Sequence, residues 1–194
     1  MATIRLNNFR WSKLTEADDG SAEYDGAKKL GKAVECKVSI ENNSAELYAE
    51  DGLAESDYSF KKGTITLGID EEDDSIFAKL LGHTIAADSE ENAGEVVKKD
   101  TDTPPFVGVG RVITKMVNGV YKYKAEFLPK VKFSEPSPEE KTKGENVEFA
   151  TTSIEGAVHK LADGTWCKAK TFETKAEAIT YVENLMKAKT QAGS

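Results

Sequence analysis

The chain has 194 residues, 39% hydrophobic and 31% charged, with a formal net charge of −8. That length fits one domain, and that balance excludes a disordered tail because enough apolar surface is present to bury a core. The acidic excess argues against a surface that grips phosphate, and no run of about 18 apolar residues offers a membrane span.

The first segment, residues 1–32, reads as an N-terminal arm or first strands. Its start, MATIRLNNFRWSK, carries no apolar leader, so assembly in a cytoplasm is expected. In AVECKVSIE, Val34, Cys36, Val38 and Ile40 share one face and Glu35, Lys37, Ser39 and Glu41 the other. That period of two predicts a half-buried strand. Residues 45–63 read as an extended loop or hairpin arm, too rich in charge and glycine for a core strand. There Leu47, Tyr48, Leu53, Tyr58 and Phe60 alternate with Glu50, Asp51, Glu55 and Asp57, while Asp51-Gly52 supplies turn chemistry. The aromatics either fold back on their own domain or dock on a neighbour.

GTITLGI returns to alternation, with Ile65, Leu67 and Ile69 on one face. DDSIFAKLLGH predicts a short helix with the stripe Ile76, Phe77, Leu80 and Leu81, started at Asp73 or Asp74 and ended at Gly82. Residues 83–105 form an acidic loop in which Thr84-Ile85 and Val96-Val97 can pair as a protruding hairpin. From Phe106 to Ile113 both faces are apolar or glycine, Phe106, Gly108, Gly110 and Val112 against Val107, Val109 and Ile113. Such a strand needs cover on both sides. Asn118-Gly119 predicts a tight hairpin, after which Tyr121, Tyr123, Ala125 and Phe127 face inward.

In NVEFATTSIEGAV, Val147 and Phe149 keep one phase while Ile154 and Val158 keep the other. One regular strand cannot hold both sets on one face, so a bulge, or a strand passing between two packed layers, is expected. Asp163-Gly164 predicts a second hairpin into TWCKAKTF. The last element, residues 174–188, is a helix opened by Thr174 and Glu177 in capping-box spacing, with the stripe Ile179, Val182, Leu185 and Met186. The chain is therefore mainly β, a sandwich or barrel with flanking α-helices and long loops.

Catalytic chemistry finds little support. His83 and His159 lack metal-ligand spacing, and Cys36 and Cys167 sit in alternating strand patterns as reduced thiols. Gly108-Val109-Gly110 does not open a helix, and the acidic runs AEDGLAESD and EEDDS lack the ligand order of a calcium loop. No catalytic, cofactor-binding or metal-binding residue is assigned, and the chain is not expected to be an enzyme.

The blocks LYAEDGLAESDYSFKKGTITLGI, LLGHTI, PPFVGVGR, NGVYKYKAEFLPKVKFSEPSPEEKTKGENVEFATTSIEG and DGTWCKAK resemble, in that order, the major tail protein of long, flexible-tailed bacteriophages. The resemblance runs from about Ala33 to the second helix. It departs from the family's pattern at Thr152, where relatives place a proline. The additional C-terminal immunoglobulin-like domain of some relatives is not expected here.

The resemblance implies a single tail-tube domain over residues 1–194, acting as a structural protein of the virion tail, assembled in the host cytoplasm. It implies hexameric rings stacked into a tube whose inner strands join around a channel. Implied partners are further copies of the chain, with the tape measure, tail terminator and tail tip proteins. DNA passes through the lumen without specific binding, and no membrane or cofactor takes part. Leu47, Tyr48, Asp51, Gly52, Leu53, Tyr58, Phe60, Phe106, Val107, Val109, Phe149 and Ile154 are the residues expected at subunit interfaces. Neighbouring subunits would then supply the second cover of the two-sided strands. The alternative is a non-catalytic β-sandwich that binds or decorates a virion.

Overall fold

The computed structural model describes residues 2–17, 19–31, 33–49, 52–69, 74–87, 92–136 and 152–187. Alternating sequence makes most of it strand. The elements are β1 (Ala2–Glu16), β2 (Ala22–Tyr24), β3 (Lys28–Lys29), β4 (Ala33–Ala49), β5 (Gly52–Ile69), α1 (Asp74–Leu81), β6 (Thr84–Ile85) and β7 (Val96–Val97). They continue with β8 (Val107–Val117), β9 (Val120–Phe133), β10 (Thr152–His159), β11 (Lys168–Phe172) and α2 (Lys175–Leu185).

One antiparallel sheet runs β2-β1-β8-β9-β10-β5-β4, with β3 added to β1 and β11 to β9. β4 comes back beside β1, so the sheet curls around an interior. Bulges allow the curl. In β1 the register with β8 shifts between Asn7 and Arg10, where Asn8 takes φ 53°, and β8 and β9 slip between Val107 and Val109. An unpaired residue bends its strand and tightens the local twist. The second slip also turns β9 over. Ala125 and Phe127 point to one side of the sheet, and Leu128, Val131 and Phe133 to the other.

Two apolar layers result. The inner one joins Phe9 and Trp11 of β1 to Ile65, Leu67, Val107, Val109, Val131, Ile154 and Val158, with Phe77, Leu80 and Leu81 of α1. The outer one packs Ala178 and Val182 of α2, with Met186 just beyond it, on Leu14, Tyr24, Val112, Ala125, Phe127 and Leu161. β8 lies between the layers. Its glycines admit the outer one: a Cβ on Gly110 would sit 2.2 Å from Val182 Cγ1, and one on Gly108 2.7 Å from the Tyr24 ring.

This corrects one expectation. Val107 and Ile154 are fully buried and Val109 nearly so, and the cover on both faces of β8 comes from its own chain. Two local readings also change. Tyr121 is half exposed, because β9 leaves the body as it nears its turn. The Asp163-Gly164 turn does not close a hairpin: β10 pairs with Lys130–Phe133 of β9, and β11 with Phe127–Tyr123 of the same strand. The chain steps along one edge and does not fold back.

Other signals hold. Asn118 and Gly119 take φ 51° and 79°, and join Val117 to Val120 in a two-residue hairpin. Thr174 accepts from the Glu177 amide, completing a capping box. Gly82, at φ 79°, ends α1, and the His83 amide reaches back to the Ala78 carbonyl. β6 pairs with β7 as the sequence allows. The bulge anticipated between Phe149 and Ile154 lies outside the described residues.

Candidate assembly surface

β4 and β5 pair along their whole length, from Ala33↔Ile69 to Ala49↔Gly52. β10 supports β5 only from Gly63 to Ile69. The remainder, from Asn42↔Phe60 outward, is a two-stranded ribbon of about 25 Å at roughly 3.3 Å per residue. Among the described residues no strand pairs with either of its outer edges. Within residues 45–63, the described residues 45–49 and 52–60 thus pair as a hairpin arm.

Leu47, Tyr48, Leu53 and Tyr58 lie on this ribbon, Leu47 opposite Glu55 and Tyr48 opposite Leu53. Gly52 opens β5. Asp51 and Phe149 lie outside the described residues.

Phe60 is different. At the root of the ribbon its ring stacks on Trp166, with centroids 4.9 Å apart and planes 11° from parallel. It anchors the arm to its own body, and the residue stays half-buried.

Phe106 stays half-buried at the mouth of a shallow cleft of about 520 Å³, lined also by Lys61, Lys62, Lys130, His159 and Lys160. Lys130 Nζ and Lys132 Nζ stand 4.6 and 5.4 Å from the Phe106 ring centroid, and His159 meets that ring edge-on. A cation over a ring face is attracted by the ring quadrupole, so Phe106 keeps the two ammonium groups in place. Burial and the charges of Lys130 and Lys132 lower the His159 pKa, leaving its imidazole neutral near pH 7. Sequence reasoning missed these lysines. They are scattered in the chain, and only the pairings Val158↔Gly63 and His159↔Lys130 bring them together.

Two other polar clusters act as clamps. His83 Nδ1 is 2.8 Å from Asp102 Oδ2 and His83 Nε2 is 3.0 Å from Glu135 Oε2, while Lys98 also pairs with Glu135. The bond to Asp102 raises the His83 pKa, and Glu135 adds to it against a cost of burial. The ring therefore ties the end of α1 to the β7 loop and to the segment after β9, a wider role than the helix-end partner its position suggests. Arg111 donates to Glu126 Oε2 from Nε and Nη2, at 2.8 and 2.5 Å, and from Nη1 to Cys36 Sγ at 2.8 Å. Burial opposes the Glu126 charge, yet Lys124 and Arg111 hold that carboxyl below its usual range. Burial pushes the Cys36 thiol up against the pull of Arg111. Cys36 and Cys167 are both free.

Among the described residues no three histidine, cysteine, aspartate or glutamate side chains form a group able to hold a metal ion, and no helix is long and apolar enough to cross a membrane. Comparison with models of known families gives no match, and comparison with curated proteins gives none.

Proposed function

We propose that this chain is the subunit of a non-contractile phage tail tube, polymerising as stacked hexameric rings through which DNA is delivered. The observation that carries the reading is the β4–β5 ribbon. A two-stranded ribbon alone in water is marginally stable at best, and this one alternates apolar residues with acids in sequence while, among the described residues, no further strand pairs with its outer edges. Docking on another copy gives those residues cover. The ordered sequence blocks that resemble those of tail tube proteins point the same way.

The subunit works by assembly and conduction, without catalysis. Its copies meet the tape measure protein along the lumen and the terminator and tip proteins at the ends. Excess carboxylate suits a channel for DNA, since a basic wall would hold phosphate and stall its passage. In this reading the interface lies on Leu47, Tyr48, Leu53, Tyr58 and Phe106, and not on Val107, Val109 and Ile154, which serve the core.

One observation favours a second reading. The body covers both faces of β8 by itself, as a monomeric binding or decoration module of a virion would. Negative-stain microscopy of the concentrated purified chain separates the two. Tubes or rings of uniform diameter support the tube subunit, and dispersed globules support the module.

A further inference from the structure

Charge is segregated over this chain in a way that its net value of −8 hides. β5, β10 and β9 lie side by side and bring Lys61 and Lys62, Lys160, and Lys130 to one shallow cleft of about 520 Å³. Lys132, two residues along β9, reaches the same Phe106 ring as Lys130. Two carboxylates answer this group, Glu41 on Lys62 and Glu16 on Lys130. Among the described residues Lys61, Lys132 and Lys160 have no carboxylate within ion-pair distance, and each is exposed or half-exposed.

Like charges on neighbouring strands repel, so three unanswered ammonium groups around one concave surface favour an anion among them. His159 reports that field from within the cleft. Its ring meets Phe106 edge-on, and the charges that act on it are those of Lys130 and Lys132, both cations. Burial first, and these two charges second, keep it neutral near pH 7. A neutral imidazole still carries one ring N–H, and each ammonium group offers three donors. Donors and positive charge thus converge where an oxygen-rich anion can accept from several at once.

We infer that the cleft around Phe106 is a binding site for a small ligand bearing two or more phosphate groups. The inference goes beyond the tube reading and does not depend on it. Ammonium groups on flexible stems act as point charges, which suit tetrahedral phosphate better than the planar fork of an arginine would require. Neighbouring strands lie about 4.8 Å apart, so cations on three of them span roughly 10 Å, more than one phosphate covers. The small size follows from the rest of the molecule. With a screening length of about 10 Å at 0.1 M salt, an anion lodged in the cleft feels its lysines and little of the distant carboxylates. A long polyanion would lie against the acidic remainder as well.

Such a ligand reverses the field at His159. The groups around that ring are Lys61, Lys62, Lys130, Lys132 and Lys160, and the nearest carboxylates, Glu16 and Glu41, are engaged with Lys130 and Lys62. An anion set among them gives the imidazolium a partner, so the pKa of His159 rises on binding.

Nuclear magnetic resonance of the histidine rings in the dilute full chain reads this directly, with sodium tripolyphosphate as the probe. The chain has two histidines, so His83 serves as the internal control. Tripolyphosphate should raise the pKa of His159 and leave His83 unmoved, and sodium chloride of equal ionic strength should do neither. An unmoved His159, or equal shifts at both rings, overturns the site. Inorganic phosphate should bind more weakly than tripolyphosphate, and equal affinity overturns the assignment to several phosphates.

Calorimetry of variants locates the binding. Lys61→Gln with Lys132→Gln and Lys160→Gln should weaken tripolyphosphate about tenfold or more, with thermal melting unchanged. Lys79→Gln with Lys99→Gln and Lys175→Gln removes the same charge from exposed positions elsewhere and should leave the affinity unchanged. Equal losses from the two sets would mean attraction to lysines in general and overturn the site. Where melting of the first set falls, Lys160→Gln alone replaces it, and unchanged affinity then overturns the site. A single-stranded DNA oligonucleotide supplies the competing source of phosphate. Retention tighter than that of tripolyphosphate, lost in the first set, gives the cleft to nucleic acid and overturns the small ligand.

Discussion

β8 and the β4–β5 ribbon pose one puzzle in sequence and solve it in opposite ways. Both carry apolar residues beyond what one face of a sheet can bury. β8 lies between two layers of its own chain, with Val107 and Val109 under the curled sheet and Gly108, Gly110 and Val112 beneath α2 and its neighbours. The ribbon is held at its root, by Phe60 on Trp166 and by β10 up to Gly63, and among the described residues no strand pairs with it further out. The difference lies in the intervening residues. β8 places glycines between its valines, so another layer can approach. The ribbon places carboxylates between its aromatics, which its own core cannot absorb without partners. Two-sided apolarity therefore states that cover is needed, and the glycines of β8 show where the chain supplies it itself.

That contrast can be broken from either side. The largest effect is expected in the layer over β8. Phe127 is 1% exposed and meets Tyr24 edge-on at 5.4 Å. Phe127→Ala should cost about 4 kcal/mol in chemical denaturation, and a loss below about 1 kcal/mol would mean that α2 does not seal this face. Gly110→Val comes next. Its side chain meets Val182 at once, and overpacking should cost about 3 kcal/mol and loosen α2, read as faster amide exchange along residues 175–185.

At the ribbon root, Phe60→Ser removes the stack on Trp166 and should cost about 1 kcal/mol of monomer stability. A cost equal to that of Phe127→Ala would place the ribbon within the core. Further out, Leu53→Ser with Tyr58→Ser should change monomer stability by no more than about 0.5 kcal/mol while abolishing assembly. Normal tubes from that double variant would remove the ribbon from the interface.

The smallest effect is a pH dependence. His83 is held with a raised pKa by Asp102 first and Glu135 second, beside Lys98. Its charge binds more tightly in the folded chain, so its contribution is complete below the ordinary histidine range and fades as pH rises through the raised value. The stability gap between the unaltered chain and His83→Gln should shrink across that window. Parallel pH curves would show that the clamp does not titrate as described.

Much of the fold is legible because its signals are local. Period-two alternation at Val38–Ile40 and Ile65–Leu67, the Asn118-Gly119 turn and the Thr174–Glu177 capping box each need only neighbouring residues. What escaped depends on partners distant in sequence. The cover of β8 comes from α2 at the far end of the chain. The turn at Asp163-Gly164 looked like a hairpin because sequence cannot show that β10 and β11 share one edge of β9. The slip in β9 turns Val131 and Phe133 to the side opposite Ala125 and Phe127, against the strict alternation that also placed Tyr121 inside. Of the candidate site, Phe106 was legible but its lysines were not, since Lys61, Lys130 and Lys160 meet only after β5, β9 and β10 pair.

Hydrogen exchange of the full chain, dilute and then assembled, tests most directly whether copies complete the ribbon. The account predicts rapid exchange across residues 42–60 in the dilute chain and strong protection after assembly, while β8 is protected in both. Ribbon amides as protected as those of β8 in the dilute monomer, or still unprotected within the assembly, would contradict it.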